Sequence, residues 1–238
     1  MRYLLAFIRL VLLTVITLLT VILALPCFYL SKKSRKVSYA TARTWGRISL
    51  FILNVHTKVL GDIPKERVLL MPNHQTFFDV FLVLTYYPSS IVAKKEIGDW
   101  PILRLAIQLG RIILVDRSTL KSMLRTMRSI DQEVKSGGSV ILFPEGTTYG
   151  GPMTKAFKPG SFKIAEETKT PIIPVAIKYL KHDMFWGDES FLKHFFQKSG
   201  YWRTDVEVWF GNPISGSPSK ELQAQTKSAI DTQLATYL

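Results

Sequence analysis

A histidine and an aspartate stand five residues apart in the stretch VLLMPNHQTFFDVF, which covers residues 68 to 81. They are His74 and Asp79. Residues i and i+5 of one regular helix are separated by roughly 500° of rotation and point to different faces. We therefore expect His74 to lie in a loop that enters a helix, with Asp79 on that helix and turned back toward it. A carboxylate bound to one imidazole nitrogen fixes the tautomer and leaves the other nitrogen able to accept a proton.

This pair makes up two members of a Ser-His-Asp triad whose nucleophile is missing. The sequence contains no G-x-S-x-G motif that would supply a serine. If the reacting hydroxyl comes from a substrate instead, the pair is a general base for direct acyl transfer. Taken alone, the pair also fits a histidine that is hydrogen-bonded locally at the start of a helix.

Three polar stretches each follow a predicted strand. LLMP precedes NHQTFFD, RIILV leads into Asp116 and Arg117, and SVILF precedes PEGTTYGG, which starts at Pro144. In open α/β sheets the ligand crevice lies outside the carboxyl ends of the strands. We therefore expect the three stretches to converge on one site.

Four blocks occur in the order NHQTFFD, GRIILVDR, FPEGT and PIIPVAI. Together they resemble the motif blocks of the glycerolipid acyltransferase family, typified by bacterial 1-acylglycerol-3-phosphate acyltransferase, over about residues 60 to 180. The resemblance implies transfer of a fatty acyl group from acyl-CoA or acyl carrier protein to the free hydroxyl of a lysophospholipid. Lysophosphatidic acid is the first expected acceptor. No metal, cofactor or covalent enzyme intermediate is implied.

The resemblance also implies roles for individual residues. His74 is expected to deprotonate the acceptor hydroxyl, and Asp79 to orient His74. Arg117 is similar to the arginine that holds the acceptor phosphate, which a guanidinium binds bidentately; it is alternatively a surface ion pair with Asp116 or Glu145. The predicted substrate-binding residues are Asn73, Arg117, Glu145, Gly146, Thr147 and Lys158.

One position departs from the family pattern. The third block commonly reads FPEGTR, whereas this chain reads FPEGTT, so Thr148 replaces an arginine. Either Lys158 or Lys155 compensates for the missing cation, or the acceptor is not a simple phosphate monoester. The later stretch HDMFWGDESFLKHF resembles a segment of branches that include lyso-ornithine lipid acyltransferases. Lyso-ornithine lipid and glycerol 3-phosphate therefore remain open as acceptors.

The composition indicates an anionic partner beside an apolar one. Formal net charge is +13, yet 47% of the residues are hydrophobic, which excludes a disordered basic tail. Both nucleic acid and anionic membranes attract such a chain. Residues 10 to 30 carry no charge and SKKSRK follows at residues 31 to 36, which favours a membrane partner over nucleic acid.

The positive-inside rule places this basic cluster on the cytoplasmic side. The compact size and the family branch that the chain resembles imply a bacterial inner membrane. A cleaved signal peptide is the alternative, but the run is long and lacks an A-x-A site. The sequence leaves open whether the segment spans the membrane or lies in one leaflet with Pro26 as a bend.

The remaining elements predict an α/β fold, a mixed sheet flanked by helices behind an N-terminal hydrophobic helical anchor. We expect an anchor and interfacial region over residues 1–55 and an acyltransferase domain over residues 56–238. The clearest predicted helix starts with Ser118 as its N-cap and stops at Gly137. Predicted strands cover residues 67–71, 90–93, 112–115, 139–143, 172–177 and 205–210.

Two other classes of protein remain possible at this point. A membrane-tethered hydrolase would use water in place of the acceptor hydroxyl. A non-enzymatic basic protein that binds membranes or nucleic acid would not need His74, although the basic residues are spread along the chain without an RNA-binding signature. The single cysteine excludes an intramolecular disulfide, and the four histidines show no zinc-ligand spacing.

Overall fold

The computed structural model describes residues 1–95, 98, 101–116, 118–181 and 183–237. Within these residues the chain forms eight helices and seven strands. The helices are α1 (Arg2–Leu30), α2 (Arg35–Leu53), α3 (Phe78–Tyr86), α4 (Pro101–Leu109), α5 (Leu120–Lys135), α6 (Gly160–Thr168), α7 (Phe191–Lys198) and α8 (Ser219–Ala235). The strands are β1 (Val55–Leu60), β2 (Leu69–Pro72), β3 (Ser90–Lys94), β4 (Ile113–Val115), β5 (Val140–Ile141), β6 (Ile172–Tyr179) and β7 (Thr204–Phe210).

The strands form a mixed sheet in the order β1-β7-β6-β2-β5-β3-β4. Every neighbouring pair is parallel except β6 and β7, which are antiparallel. Connections between the parallel strands run through helices, as such pairs require. The central strands β2, β5 and β6 are almost completely buried, because both faces of the sheet are covered.

Alternation along the strands divides the core into two layers. Leu70, Ile141 and Ile173 face a cluster that includes residues of α2, α3 and α7. Their sequence neighbours Leu69 and Val140 face the other cluster, which includes residues of α5, α6 and α8. Successive side chains of a strand point to opposite faces, so the apolar runs predicted as strands supply both layers at once.

Helices α1 and α2 form an antiparallel hairpin that is packed on the rest of the molecule. The indole N–H of Trp45 donates to the Thr17 hydroxyl at 2.9 Å and links the two helices. Helix α2 then packs against α3. At position 46 the two backbones approach so closely that a Cβ on Gly46 would lie 3.0 Å from the Phe81 carbonyl oxygen.

Helix α1 is long and apolar enough to cross a membrane by length and composition, properties that buried core helices and signal sequences share. One face docks on the protein along most of its length, through Ala6, Leu13, Val21 and Phe28. The opposite face exposes apolar side chains: Leu4, Phe7, Val11, Leu12, Val15, Leu19, Ile22 and Leu23. Pro26 lies inside the helix, which continues to Leu30.

The predicted fold class and all six predicted strands are confirmed, with ends that move by one to a few residues. The N-cap prediction for α5 was wrong, because the side chain of Thr119, not Ser118, accepts a hydrogen bond from the backbone N–H of Ser122. Thr119 has the extended backbone that an N-cap requires. Instead, the backbone N–H of Ser118 donates to the Asp116 carboxylate at 2.9 Å.

Candidate active site

His74 and Asp79 meet at the carboxyl end of β2. His74 lies in the loop after the strand, and Asp79 lies in the first turn of α3. Their closest atoms, His74 Nδ1 and Asp79 Oδ2, are 2.7 Å apart. The geometry expected from their spacing is therefore present, with the helix start turning the carboxylate back toward the loop.

Asp79 is completely buried, and besides its contact with His74 its carboxylate accepts hydrogen bonds from three groups whose donor role is fixed. Besides His74, the backbone N–H groups of Gln75 and Thr76 donate to Oδ2 at 2.6 and 3.0 Å. The Tyr179 hydroxyl donates to Oδ1 at 2.7 Å. Burial, and then Asp79, raise the pKa of Tyr179 well above its ordinary value, so this hydroxyl keeps its proton. These donors favour an ionised carboxylate, because an ionised carboxylate only accepts hydrogen bonds.

The His74 ring is held on two sides. Because the ionised Asp79 accepts, Nδ1 carries the proton and Nε2 has its lone pair available. The ring stacks on Phe143, with centroids 3.9 Å apart and planes inclined by 20°. The His74 side chain keeps 18% of its surface exposed. The arrangement can accept a proton at Nε2 and stabilise the resulting imidazolium through Asp79.

Glu145 connects the His74 loop to the loop after β5. One carboxylate oxygen accepts the backbone N–H of His74 at 3.0 Å, and the other accepts the backbone N–H of Lys155 at 2.9 Å. The side chain is almost fully buried, and burial raises its pKa, although the N–H groups of Lys155 and His74 lower it in part. Glu145 therefore fixes the backbone at His74, and its predicted contact with substrate stays a prediction.

Asn73 has a comparable positioning role. Beyond Pro72, the last residue of β2, its backbone N–H still donates to the Val175 carbonyl at 3.2 Å. Its buried amide then donates to the Ile177 carbonyl at 3.1 Å and accepts the Ile177 N–H at 2.7 Å. The amide satisfies backbone groups of β6 that β2 no longer reaches, which buried polar groups require. A contact between Asn73 and substrate stays a prediction.

The other predicted binding residues surround this loop pair. Gly146 has a φ of +74°, a left-handed conformation that favours glycine. The Thr147 side chain is exposed. Lys158 is exposed as well, and its backbone N–H donates to the Pro144 carbonyl at 2.8 Å, which places it beside the PEGT turn. Arg117 lies outside the described residues.

Thr148, which replaces the arginine of the family pattern, forms a contact within the protein. Its hydroxyl donates to the Trp186 carbonyl at 2.7 Å. The backbone N–H of Trp186 in turn donates to the Gln75 carbonyl at 2.9 Å. The segment around Trp186 is therefore bonded to both loops of the candidate site.

Several residues of this site were missed by the sequence reasoning. Tyr179 follows the fourth block in β6, and its position two residues after Ile177 was the available signal that it points to the same layer as Asp79. Thr76 belongs to the first block, but its sequence position alone gave no role for it. Glu189 and His194 repeat the five-residue spacing of His74 and Asp79 in reverse order, which was the available signal for a second histidine–carboxylate pair.

Across the described ranges, no group of three or more His, Cys, Asp or Glu side chains is arranged to hold a metal ion. An open cleft of about 650 Å³ is lined by Arg43, Arg47, Arg67 and Tyr86, among others. Residues that line it precede β2, β3 and β5, so it lies at the amino ends of these strands, away from His74.

Comparison with known proteins adds family and fold. A family model described as acyltransferase matches residues 54–178. A chloroplastic 1-acyl-sn-glycerol-3-phosphate acyltransferase of Brassica napus is 27% identical over 82% of this chain and 56% of its own length. A lyso-ornithine lipid O-acyltransferase of Rhizobium meliloti is 27% identical over 71% of this chain and 59% of its own length. The chain thus spans little more than half the length of these curated relatives.

A solved structure matches over nearly the whole of both chains. It is the crystal structure of the 1-acyl-sn-glycerophosphate acyltransferase PlsC from Thermotoga maritima, with a TM-score of 0.78. The alignment covers 100% of this chain and 98% of that one, at 23% identity. At this identity the likeness establishes a shared fold.

Proposed function

Because the chain belongs to the acyltransferase family, we propose that it moves a fatty acyl group from a thioester donor to the free hydroxyl of a lysophospholipid. The observation that carries the proposal is the bond between His74 Nδ1 and the buried Asp79 carboxylate, beside a partly exposed ring. The donor is acyl-CoA or acyl carrier protein. The preferred acceptor is 1-acylglycerol 3-phosphate, which gives phosphatidic acid.

The reaction follows from the chemistry of the two residues. His74 Nε2 takes the proton of the acceptor hydroxyl, and the oxygen attacks the thioester carbonyl carbon. The tetrahedral intermediate collapses with cleavage of the C–S bond, and the thiolate leaves with the proton from His74. An ester and a free thiol result, and the imidazole is neutral again. Throughout, Asp79 stabilises the charged imidazolium, and stabilisation of the developing oxyanion is assigned to Arg117 and to donors of the turn at residues 145–147.

Two acceptors, lysophosphatidate and lyso-ornithine lipid, fit the proposed reaction. Relatives named for lysophosphatidate and for lyso-ornithine lipid acylation match at similar identity. In this chain, Thr148 uses its hydroxyl to bind Trp186 instead of offering a cation to a phosphate. This observation favours testing lyso-ornithine lipid as the alternative acceptor, while exposed Lys158 beside the PEGT turn supports a phosphate-bearing one.

Location at a membrane belongs to the same proposal. The exposed apolar face of α1 fits the acyl region of a bilayer, and the basic residues at the turn between α1 and α2 fit anionic head groups. We assign the protein to a bacterial inner membrane with the site on the cytoplasmic side. Bacterial relatives of both named activities support this assignment.

The test is an acyl-transfer assay with the purified full chain in detergent. Radiolabelled acyl-CoA and acyl carrier protein are each offered with lysophosphatidate, lyso-ornithine lipid, lysophosphatidylcholine or glycerol 3-phosphate. We expect transfer to one lysolipid, and a loss of about 10²–10⁴-fold in His74→Ala, the range of general-base contributions. His56→Ala is the matched control, because His56 is an exposed histidine of β1, away from the candidate site, whose ring is hydrogen-bonded to Asn54.

Other outcomes would contradict the proposal. Release of free fatty acid without acylated lipid would identify a hydrolase. Equal activity of His74→Ala and His56→Ala would remove His74 from the mechanism. If neither donor is used with any acceptor, the acyltransferase activity itself is rejected.

A further inference from the structure

A second histidine–carboxylate pair lies behind the first. His194 of α7 is completely buried, and both of its ring nitrogens have partners. Nδ1 lies 2.8 Å from a carboxylate oxygen of Glu189, and Nε2 lies 2.8 Å from the Thr76 hydroxyl. Trp186 stacks on the ring with centroids 5.3 Å apart and planes inclined by 13°. This ring is therefore fixed from three directions.

The donors and acceptors of this pair can be assigned. The bond from its own backbone N–H, together with that from His194, lowers the pKa of Glu189, so the carboxylate is ionised and accepts. Burial lowers the pKa of His194, so the imidazole is neutral with its proton on Nδ1. Nε2 must then accept, and the Thr76 hydroxyl donates to it.

Thr76 connects the second pair to the first. Its backbone N–H donates to Asp79 Oδ2 at 3.0 Å, and the same oxygen binds His74 Nδ1 at 2.7 Å. Displacement of the Thr76 backbone therefore moves a donor away from the oxygen that orients the base. The loop has a further support, since the Gln75 carbonyl accepts the N–H of Trp186.

We propose that Thr76 is a positioning residue for acyl transfer. His194 and Glu189 hold Thr76, and Thr76 keeps the Asp79 carboxylate in place behind His74. This proposal rests on the proposed function of the His74–Asp79 pair. The three residues touch no reacting atom, so their effect on the reaction passes through Asp79. A hydroxyl with a fixed partner restricts Thr76 to one rotamer, and the conformation of the loop becomes less variable.

The same connectivity, hydroxyl to imidazole to carboxylate, is that of a nucleophilic triad. Burial rules out this use for Thr76, since the residue has 0% exposure and its hydroxyl faces His194 inside the protein. A thioester carbonyl would have to enter the core to reach it. The geometry therefore assigns positioning, with the nucleophile still supplied by the acceptor lipid.

The experiment compares Thr76→Val with Thr76→Ser in the full chain. Valine keeps the shape of threonine without its hydroxyl, and serine keeps the hydroxyl. We expect kcat to fall roughly tenfold in Thr76→Val, which corresponds to about 1.4 kcal/mol of lost transition-state stabilisation, with KM for donor and acceptor unchanged. Thr76→Ser should restore most of kcat. His194→Gln, whose amide oxygen can accept from Thr76, should lose less than His194→Ala.

A matched control separates positioning from stability. Thr226 of α8 is also completely buried, and its hydroxyl donates to the Leu222 carbonyl at 2.7 Å. Thr226→Val should lower the thermal unfolding temperature about as much as Thr76→Val and leave kcat unchanged. The proposal is overturned if Thr76→Val keeps the wild-type kcat, or if serine fails to restore activity while the protein remains folded.

A second readout does not depend on turnover. Spectra of 15N-labelled histidine in the four-histidine chain report the proton shared by His74 and Asp79. We expect Thr76→Val to shift the His74 resonances and Thr226→Val to leave them in place. If the wild-type protein transfers no acyl group, the proposed function fails, and these spectra still decide whether Thr76 positions the pair. Unchanged His74 resonances in Thr76→Val would reject the positioning role.

Discussion

At the scale of single residues, most polar side chains of the candidate site form hydrogen bonds within the protein. His74 offers one nitrogen outward, while Asp79, Glu145 and Asn73 use their polar atoms to fix loops and neighbouring side chains. Glu145 is the clearest case, because both oxygens bind backbone N–H groups of the two loops. Glu145 therefore fixes the relative position of the two loops without any bound substrate.

Thr148 shows how one substitution changes the interpretation of a motif. As a letter in FPEGTT it indicates a missing cation. In the structure its hydroxyl binds the Trp186 carbonyl, in a segment that also contacts the His74 loop. Position 148 thus contributes a contact within the protein. An arginine would present a larger, permanently charged guanidinium in place of this short hydroxyl.

His194 gives a prediction about stability and pH. Burial lowers the pKa of its imidazole below the ordinary 6.5, with Lys198 acting in the same direction and Glu189 and Asp79 opposing it. Between the native and the unfolded pKa the unfolded chain binds more protons, so this residue's contribution to stability is present above pH 6.5 and is lost as pH falls. Lowering the pH from 7.5 to 5.5 should therefore reduce the stability of the wild type more than that of His194→Gln. Thermal unfolding at each pH measures this difference.

A parallel series with His56→Gln provides the control, because His56 is exposed on β1. This variant should lose stability with pH in the same way as the wild type. Equal pH dependence of His194→Gln and wild type would show that His194 is not held neutral by the fold.

At the scale of secondary-structure elements, the loop–helix junctions place the chemistry. Strand β2 ends at Pro72, the loop carries His74, and α3 begins at Phe78, so Asp79 falls in the first turn. The helix N-terminus also favours a negative charge there. Helix α3 must in turn be held against the sheet, and α2 packs over it through the close approach at Gly46.

The contact at Gly46 gives a prediction for this element pair. A Cβ there would lie 2.7 Å from the Thr85 hydroxyl oxygen and 3.0 Å from the Phe81 carbonyl oxygen. Gly46→Ala should cost roughly 1–3 kcal/mol through overpacking, partly offset by about 1 kcal/mol of better helix propensity. Denaturant unfolding measures the change in the free energy of unfolding.

Gly160 supplies the comparison, since it opens α6 and its added Cβ would meet the flexible end of Met127, with the sulfur at 2.9 Å. Gly160→Ala should remain close to wild type because that side chain can move. If Gly46→Ala is equally stable, the α2–α3 approach is looser than these distances indicate.

At the scale of the whole molecule, α1 is part of the fold and also presents an apolar surface. Arg9 is buried and its guanidinium donates to the carbonyls of Ser199 and Tyr201 at 2.7 and 2.6 Å, which ties α1 to the segment before β7. Further along the helix, Leu13 packs in the main core cluster, and Phe28 packs with Val21 and with Leu109 of α4. A helix docked along its length leaves its outer face for lipid, so we expect α1 to lie in one leaflet.

This topology is testable with the single natural cysteine removed. In a Cys27→Ser background, Tyr3→Cys places a thiol at an exposed position near the start of α1. Lys220→Cys, in the same background, places a thiol at the exposed start of α8. A membrane-impermeant maleimide added to vesicles should label both thiols from the same side. Labelling of the two positions from opposite sides would show that α1 spans the bilayer.

The sequence by itself determined six of the seven strands in the described residues, the α/β class and the place of His74 and Asp79, because these depend on local apolar runs and on a spacing that a helix start converts into contact. Strand β1 was not predicted. Resemblance over four short blocks supplied the family. It did not reveal the Glu145 bonds to His74 and Lys155, the Tyr179 bond to Asp79, or the Thr76–His194–Glu189 connection. These contacts join residues that are far apart along the chain, and only the order β6-β2-β5 and the packing of α7 behind the loop bring them together. The docking of α1 was likewise decided by tertiary structure, since an apolar helix has the same composition whether one face meets protein or both meet lipid.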